Sequence, residues 1–141
     1  MYIVCPSCHA TNRVAPERLS EGPVCGACKA LLLGGEPLKL TSATFDQHIA
    51  HSDLPVLVDF WAAWCGPCRR MAAVIDRAAR EMALSVQVAK VDTEAEGGLA
   101  ARYGIRSIPT LALFRRGQLL AMQAGALDDT QLRRWVETAL A

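Results

Sequence analysis

Three Cys-x-x-Cys pairs are the residues of this chain best suited to chemistry: Cys5 and Cys8 in CPSC, Cys25 and Cys28 in CGAC, and Cys65 and Cys68 in WCGPC. Two thiols at that spacing either hold a metal ion or carry electrons as a dithiol and disulfide. Their surroundings divide the work. Cys65 and Cys68 stand where an apolar run ends and a helical pattern begins, and helical i, i+3 spacing brings their Cβ atoms to about 5–6 Å. A disulfide needs about 3.8 Å, so a small rotation opens or closes the bridge. Pro67 fits a first helical turn, where its missing N–H costs little, and Gly66 lets another polypeptide approach the sulfurs. Free N–H groups and the positive dipole end of the helix favour a thiolate at Cys65, which makes it the attacking sulfur. Cys68, one turn further in, is then the resolving thiol of a two-step exchange.

Asp59 belongs to the same constellation. It lies in PVLVDFWA (55–62), a near-continuous apolar run of the kind that forms a strand covered on both faces. A carboxylate there is costly if the strand is central and ordinary if it is an edge. If buried, Asp59 is placed to accept the proton of Cys68, with Lys90 of VAKVD as its expected neighbour.

The four amino-terminal cysteines read differently. Sixteen residues separate Cys8 from Cys25, within the C-x2-C-x15–20-C-x2-C zinc signature. Four thiolates in two knuckles make a closed tetrahedral site with no open position, so one structural Zn2+ is expected. Iron suits the same donors, and two disulfides are the metal-free alternative. A strong oxidant could also eject the metal and pair the cysteines, which would make the module a redox sensor. Residues before Gly34 hold too few apolar side chains for a core, so the metal is expected to staple them. His9 reads as solvent-facing rather than as a fifth ligand. The segment is no nucleic-acid reader: residues 1–36 balance Arg13, Arg18 and Lys29 against Glu17, Glu21 and Glu36.

The elements that must position these groups follow from hydrophobic period and breakers. LLLGGEP (31–37) sets a boundary near Gly34, giving a metal-binding module over 1–34 and a second domain over 35–141. LKL (38–40) is a short strand, and Thr41 or Ser42 is expected to cap a helix carrying Phe45 and Ile49. His48 and His51 lie on what is expected to be a surface helix, and no chemistry is expected of them. A long helix over about 65–83 shows Met71, Val74, Ile75, Ala78 and Met82 on one stripe. VQVAKVD (86–92) is a second buried strand, EGGLAARYG (96–104) a short helix, and TLALF with LLAMQA a hairpin around RRGQ. DDTQLRRWVETAL closes the chain as an amphipathic helix with Leu132, Trp135, Val136 and Leu140 inward. The order predicts an α/β domain, a mixed central sheet with helices on both faces. A net charge of +1 offers no bulk attraction to nucleic acid or membrane, and no secretory leader or membrane span is evident. A cytoplasmic setting follows, where six cysteines read as metal-binding and redox-active rather than as three structural disulfides.

VLVDFWAAWCGPCRRM, AKVDTE, YGIRSIPTLALFRRGQ and GAL (125–127), in this order and spacing, resemble the thioredoxin family across about residues 38–141. CPSCHATNRVAPERL ahead of them is similar to the zinc-containing bacterial thioredoxin 2 type, so the resemblance covers essentially the whole chain. It implies a thioredoxin fold preceded by a small zinc ribbon, and a protein disulfide reductase working through a redox-active Cys65–Cys68 disulfide without an organic cofactor. It implies a cis Ile108–Pro109 peptide facing the sulfurs and a shallow docking surface of Trp64, Gly66, Pro67, Ile108, Pro109 and Gly125, with Trp61 beneath. Disulfide-containing proteins are the implied substrates, thioredoxin reductase recharges the dithiol from NADPH, and the molecule is expected to be a monomer. Three positions depart from the family pattern: Ala73 replaces a proline that usually kinks the long helix, and Arg69 and Arg70 replace one base and one apolar residue. The rival reading is a zinc-ribbon adaptor or redox-sensing module that holds partners without turnover; the intact WCGPC disfavours it.

Overall fold

The computed structural model describes residues 1–141. Its larger part is built on a five-stranded sheet of β3 (Leu38–Lys39), β4 (Val56–Trp61), β5 (Gln87–Asp92), β6 (Thr110–Arg115) and β7 (Gln118–Ala124), in the order β3-β5-β4-β6-β7. β4 is central, parallel to β5 on one side and antiparallel to β6 on the other. Its first five residues are all buried, which the unbroken apolar run requires.

Two cores sandwich the sheet. α1 (Phe45–His51) and α3 (Gly97–Arg102) cover one face, where Phe45, Val58, Phe60, Leu99 and Phe114 meet. α2 (Gly66–Glu81) and α4 (Asp129–Leu140) cover the other, where Leu57, Met71, Ile75, Leu111 and Leu132 meet. With Ala73 in place of proline, α2 runs unbroken for 16 residues. The β6–β7 hairpin turns through Arg116 and Gly117, both with positive φ, as the right-handed twist of two strands joined by a short loop demands. Asp128 and Gln131 form a capping box that starts α4. The cap of α1 departs from expectation. Residues 41–44 first form a turn, Thr44 Oγ1 accepts the Thr41 N–H at 3.1 Å, and Thr44 rather than Thr41 or Ser42 sits at the N-cap.

The amino-terminal segment pairs β1 (Tyr2–Val4) with β2 (Thr11–Arg13), followed by a 3₁₀ turn over Pro16–Glu21 and an isolated bridge between Val24 and Leu31. The expectation that it lacks a core is overturned. Ile3, Cys5, Val14, Cys25, Leu32 and Leu54 form a buried cluster, and Leu54 comes from the turn before β4. A few apolar residues suffice because the larger domain lends one. Leu54→Ala is expected to lower the unfolding free energy of the full chain by about 2–4 kcal/mol in urea titrations, the cost of a cavity in a closed core. An unchanged midpoint would mean that the cluster does not close around Leu54.

Candidate active site and candidate metal centre

β4 ends at Trp61 and the chain leaves the sheet through Ala62–Trp64 before α2 begins at Gly66. Cys65 is the N-cap residue of α2, in extended backbone, and its sulfur accepts the Cys68 backbone N–H at 3.1 Å. Pro67 lies in the first turn, as predicted. Cys65 and Cys68 are joined as a disulfide with Cα atoms 5.2 Å apart. They sit against Ala62, Trp61 and Ile108 and are 4% and 3% exposed, so only a small window reaches the sulfurs.

The chain opposite closes the site. The Ile108–Pro109 peptide is cis, and the Ile108 carbonyl oxygen lies 3.6 Å from Cys65 Sγ. Gly125, with φ of 95°, donates its N–H to the Pro109 carbonyl at 2.8 Å, a backbone geometry that disfavours any side chain there. Trp64 is 67% exposed beside Cys65. The structure thus gathers Trp64, Gly66, Pro67, Ile108, Pro109 and Gly125 around the disulfide. Two cavities of about 460 and 490 Å³ lie along the 31–39 linker, and the redox pair lines neither.

Asp59 lies in the middle of β4, 1% exposed, and its Oδ1 has no hydrogen-bond partner. The edge-strand alternative is therefore excluded. Burial pushes its carboxyl up to about 6, and the Lys90 charge pulls it partly back. Lys90 is its register partner on β5, yet it makes no ion pair with it; the ammonium sits 4.6 Å from the centre of the Trp61 ring.

Around this site the β5–α3 loop supplies residues that sequence reasoning missed. Trp64 Nε1 donates to Glu94 Oε1 at 2.7 Å, and Thr93 donates both its N–H and its hydroxyl to the Trp61 carbonyl. Asp92 Oδ1 accepts the Glu94 N–H at 3.0 Å and holds the loop in shape. Acidic residues after a strand are common, so nothing in DTEAE singled out Glu94.

The four remaining cysteines converge. Their sulfurs all lie within 4.8 Å of one another, with Cys5–Cys28 and Cys8–Cys25 at 3.6 Å. A tetrahedron with Zn–S bonds of about 2.3 Å has S···S edges of about 3.8 Å, so the donor set fits zinc in number, type and size. The two knuckles repeat one geometry. Cys5 N–H donates to Ala10 and His9 N–H to Cys5; Cys25 N–H donates to Ala30 and Lys29 N–H to Cys25. His9 and Lys29 take the same positive φ, 65° and 67°. Backbone N–H groups of Ser7 and Cys8 point at Cys5 Sγ, and that of Ala27 points at Cys25 Sγ. Such donors favour thiolates: the Cys28 N–H, with Asn12 and Ala27, brings the Cys25 thiol down to about 6.

The histidine expectations need correction. His9 is half-buried, and its Nδ1 lies 2.9 Å from Nε2 of His48, which is fully buried rather than on the surface. Burial and the neighbouring His9 hold His48 down to about 4, so it is neutral. The misreading has a plain cause. Position 48 flanks the buried Phe45 and Ile49 on α1, and His9 of the first knuckle meets it there.

Two family models match the chain: the one described as Thioredoxin over residues 36–138, and the one described as Thioredoxin 2, N-terminal, over residues 4–30. The chain is 45% identical to Thioredoxin C-3 of Corynebacterium nephridii over 140 residues, 99% of this chain and 96% of that protein. It is 47% identical to Thioredoxin 1 of a Nostoc species over 102 residues, 72% of this chain and 95% of the relative. Against the thioredoxin of Haemophilus influenzae it is 44% identical over 101 residues, 72% of this chain and 94% of the relative.

The buried aspartate generates a test. An unfolded aspartate titrates near ~3.9, whereas Asp59 titrates near about 6, so the folded state keeps its proton to higher pH. The resulting stability is complete below pH ~3.9 and is lost as pH rises through about 6. Asp59→Asn, uncharged throughout, is expected to exceed the natural protein in stability by up to about 3 kcal/mol at about pH 7.5, the gap narrowing toward pH ~4. Urea unfolding across that range checks it; a gap independent of pH would show that the carboxylate is not desolvated.

Proposed function

The chain belongs to the thioredoxin family of thiol-disulfide oxidoreductases, and from that premise we propose how its residues divide the reaction. Cys65, as thiolate, attacks one sulfur of a target disulfide. A mixed disulfide forms and the first target thiolate leaves. Cys68, as thiolate, then attacks Cys65 Sγ, the second target thiolate leaves, and the Cys65–Cys68 disulfide remains. Two electrons pass to the target. Thioredoxin reductase returns them.

The observation that carries this reading is the seat of Cys65. Its sulfur caps α2, receives a backbone N–H at 3.1 Å, and lies against the carbonyl before a cis-proline. A thiolate there is stabilised by the donor and by the helix dipole. Cys68, deeper and without that seat, needs a base, and Asp59 is the one buried carboxylate among the core residues. With its carboxyl near about 6, Asp59 is ionised at neutral pH and able to take the proton. Lys90 tunes it by charge. Trp64, Gly66, Pro67, Ile108, Pro109 and Gly125 form the surface on which an extended target segment lies.

Cys5, Cys8, Cys25 and Cys28 hold one zinc ion in a structural role. A bound zinc ion would offset two of the four thiolate charges and cross-link the two knuckles. A cytoplasmic monomer suits both halves, since a reducing compartment keeps the ligand thiols free for metal.

Three variants and a metal assay test these roles. Cys65→Ser is expected to abolish reduction of insulin disulfides, whereas Cys68→Ser accumulates a mixed disulfide visible by mass. Asp59→Asn is expected to slow exchange about tenfold near pH ~7, and to lack the fall in rate expected of the natural protein as pH drops through about 6. Turnover surviving in Cys65→Ser would overturn the assignment. The purified reduced chain is expected to carry one zinc per molecule.

A further inference from the structure

The two knuckles repeat each other internally but not in what holds them from outside. Asp53 and Tyr2 exchange a pair of bonds, Asp53 N–H to Tyr2 carbonyl at 2.7 Å and Tyr2 N–H to Asp53 Oδ2 at 2.6 Å. Gln47 Nε2 reaches Thr11 Oγ1 at 3.1 Å and the His9 carbonyl at 3.4 Å. His48 meets His9 at 2.9 Å. These contacts fasten residues 2–11, which include the first knuckle, to α1 and the turn after it.

The second knuckle has no such tether. Apart from the sulfur–sulfur contacts with Cys5 and Cys8, its hydrogen bonds run within residues 23–32 or to Asn12, which accepts the Gly26 N–H at 2.9 Å. None joins residues 22–33 to the chain beyond residue 40. A cavity of about 460 Å³ is lined by Leu31, Leu32 and Leu33 from this side and by Ala83 and Val86 from the larger domain, with Pro6 alone from the first knuckle. Its hold on the larger domain is apolar, through Cys25 and Leu32 packed with Leu54, and such packing can part without stranding a polar group as the hydrogen-bonded first knuckle would.

The histidine pair is built for holding. His48 Nδ1 is buried without a partner. Orphaned buried donors are rarer than orphaned acceptors, so the favoured tautomer has His48 Nε2–H donating to His9 Nδ1. That bond also turns His9 Nδ1 away from the metal, and His9 holds its left-handed backbone while making it.

We propose that His48 and Gln47, from the catalytic domain, are positioning residues of the metal centre. They hold the first knuckle in ligating form with or without metal, and the second knuckle, residues 24–31, is the jaw that opens for zinc to enter and leave. The inference rests on the four cysteines holding zinc. It adds which half of the site is preformed, and it makes the catalytic domain part of the metal's mounting. Redox exchange at Cys65 is not required for any step.

The test uses the full chain, reduced, first loaded with one equivalent of zinc and weighed intact, then stripped by chelator. Failure to retain zinc would strike the metal reading itself rather than this one. Given retention, hydrogen exchange is expected to show that stripping deprotects residues 24–31 at least tenfold more than residues 3–11. Alkylation of the stripped protein is expected to reach Cys25 before Cys5, both buried, and Cys28 before Cys8, both exposed. In His48→Leu the difference between the knuckles is expected to shrink and zinc to pass to a chromophoric chelator at least threefold faster, with His48→Gln, which keeps a donor, in between. Should His48→Leu fail to fold, His9→Ala removes the same bond from the half-buried side and is expected to give the same acceleration. Equal deprotection of both knuckles in the natural protein, or unchanged zinc release in the variants that fold, would overturn the proposal.

Discussion

Everything at the redox site depends on β4 being covered on both faces and both edges. A strand so placed cannot continue past Trp61 without losing its partners, so the chain must turn out of the sheet there, and α2 starts within five residues. In α/β sheets that is where reactive groups collect, because backbone N–H groups at a helix start point toward the turn. The same burial imposes a cost. Asp59 occupies the middle of that strand with one oxygen unpartnered, and a carboxyl moved from ~3.9 to about 6 opposes folding at neutral pH by about 3 kcal/mol. A central strand gains nothing in stability from such a residue; an apolar one would pack better. The fold therefore does not explain its presence, whereas the proposed role as base to Cys68 would.

Identical spacing gives the three cysteine pairs different fates through backbone alone. In WCGPC the first cysteine is extended and the next residues are helical, so both sulfurs fall on one side and bond to each other. In CPSCHA and CGACKA the turn ends in a residue with positive φ, and N–H groups converge on the first sulfur. The short contacts then run across the knuckles, Cys5 to Cys28 and Cys8 to Cys25. A helix start presents two sulfurs for exchange; two facing knuckles present four for an ion.

Much of this was legible in residue order. Six cysteines sorted themselves by spacing and flanks, and long apolar runs located β4 and β5. The cis peptide before β6 came only through family resemblance, since an isoleucine-proline pair by itself does not fix the isomer. What escaped was whatever depends on two distant segments meeting. Glu94 gains its meaning only when the β5–α3 loop reaches Trp64. His48 reads as a surface position until the first knuckle lies over it, and Leu54 reads as a loop residue until it enters the amino-terminal cluster. Periodicity describes which face of an element is apolar; it carries no information about an appended module that covers the other face.

That module alters how the larger domain must be understood. Its six-residue core borrows Leu54, and the hydrogen bonds that orient it come from Gln47, His48 and Asp53. A segment of this size buries too little to fold unaided, and metal binding worth on the order of 10 kcal/mol offsets only part of its chain entropy. The docking face supplies more. The price falls on α1, which carries a buried histidine with an unpaired nitrogen. A neutral imidazole tolerates that position because its one satisfied nitrogen bonds across the junction. Removing the amino-terminal segment would therefore expose an apolar leucine and a desolvated ring, so the two parts have become mutually dependent while their chemistry stays separate.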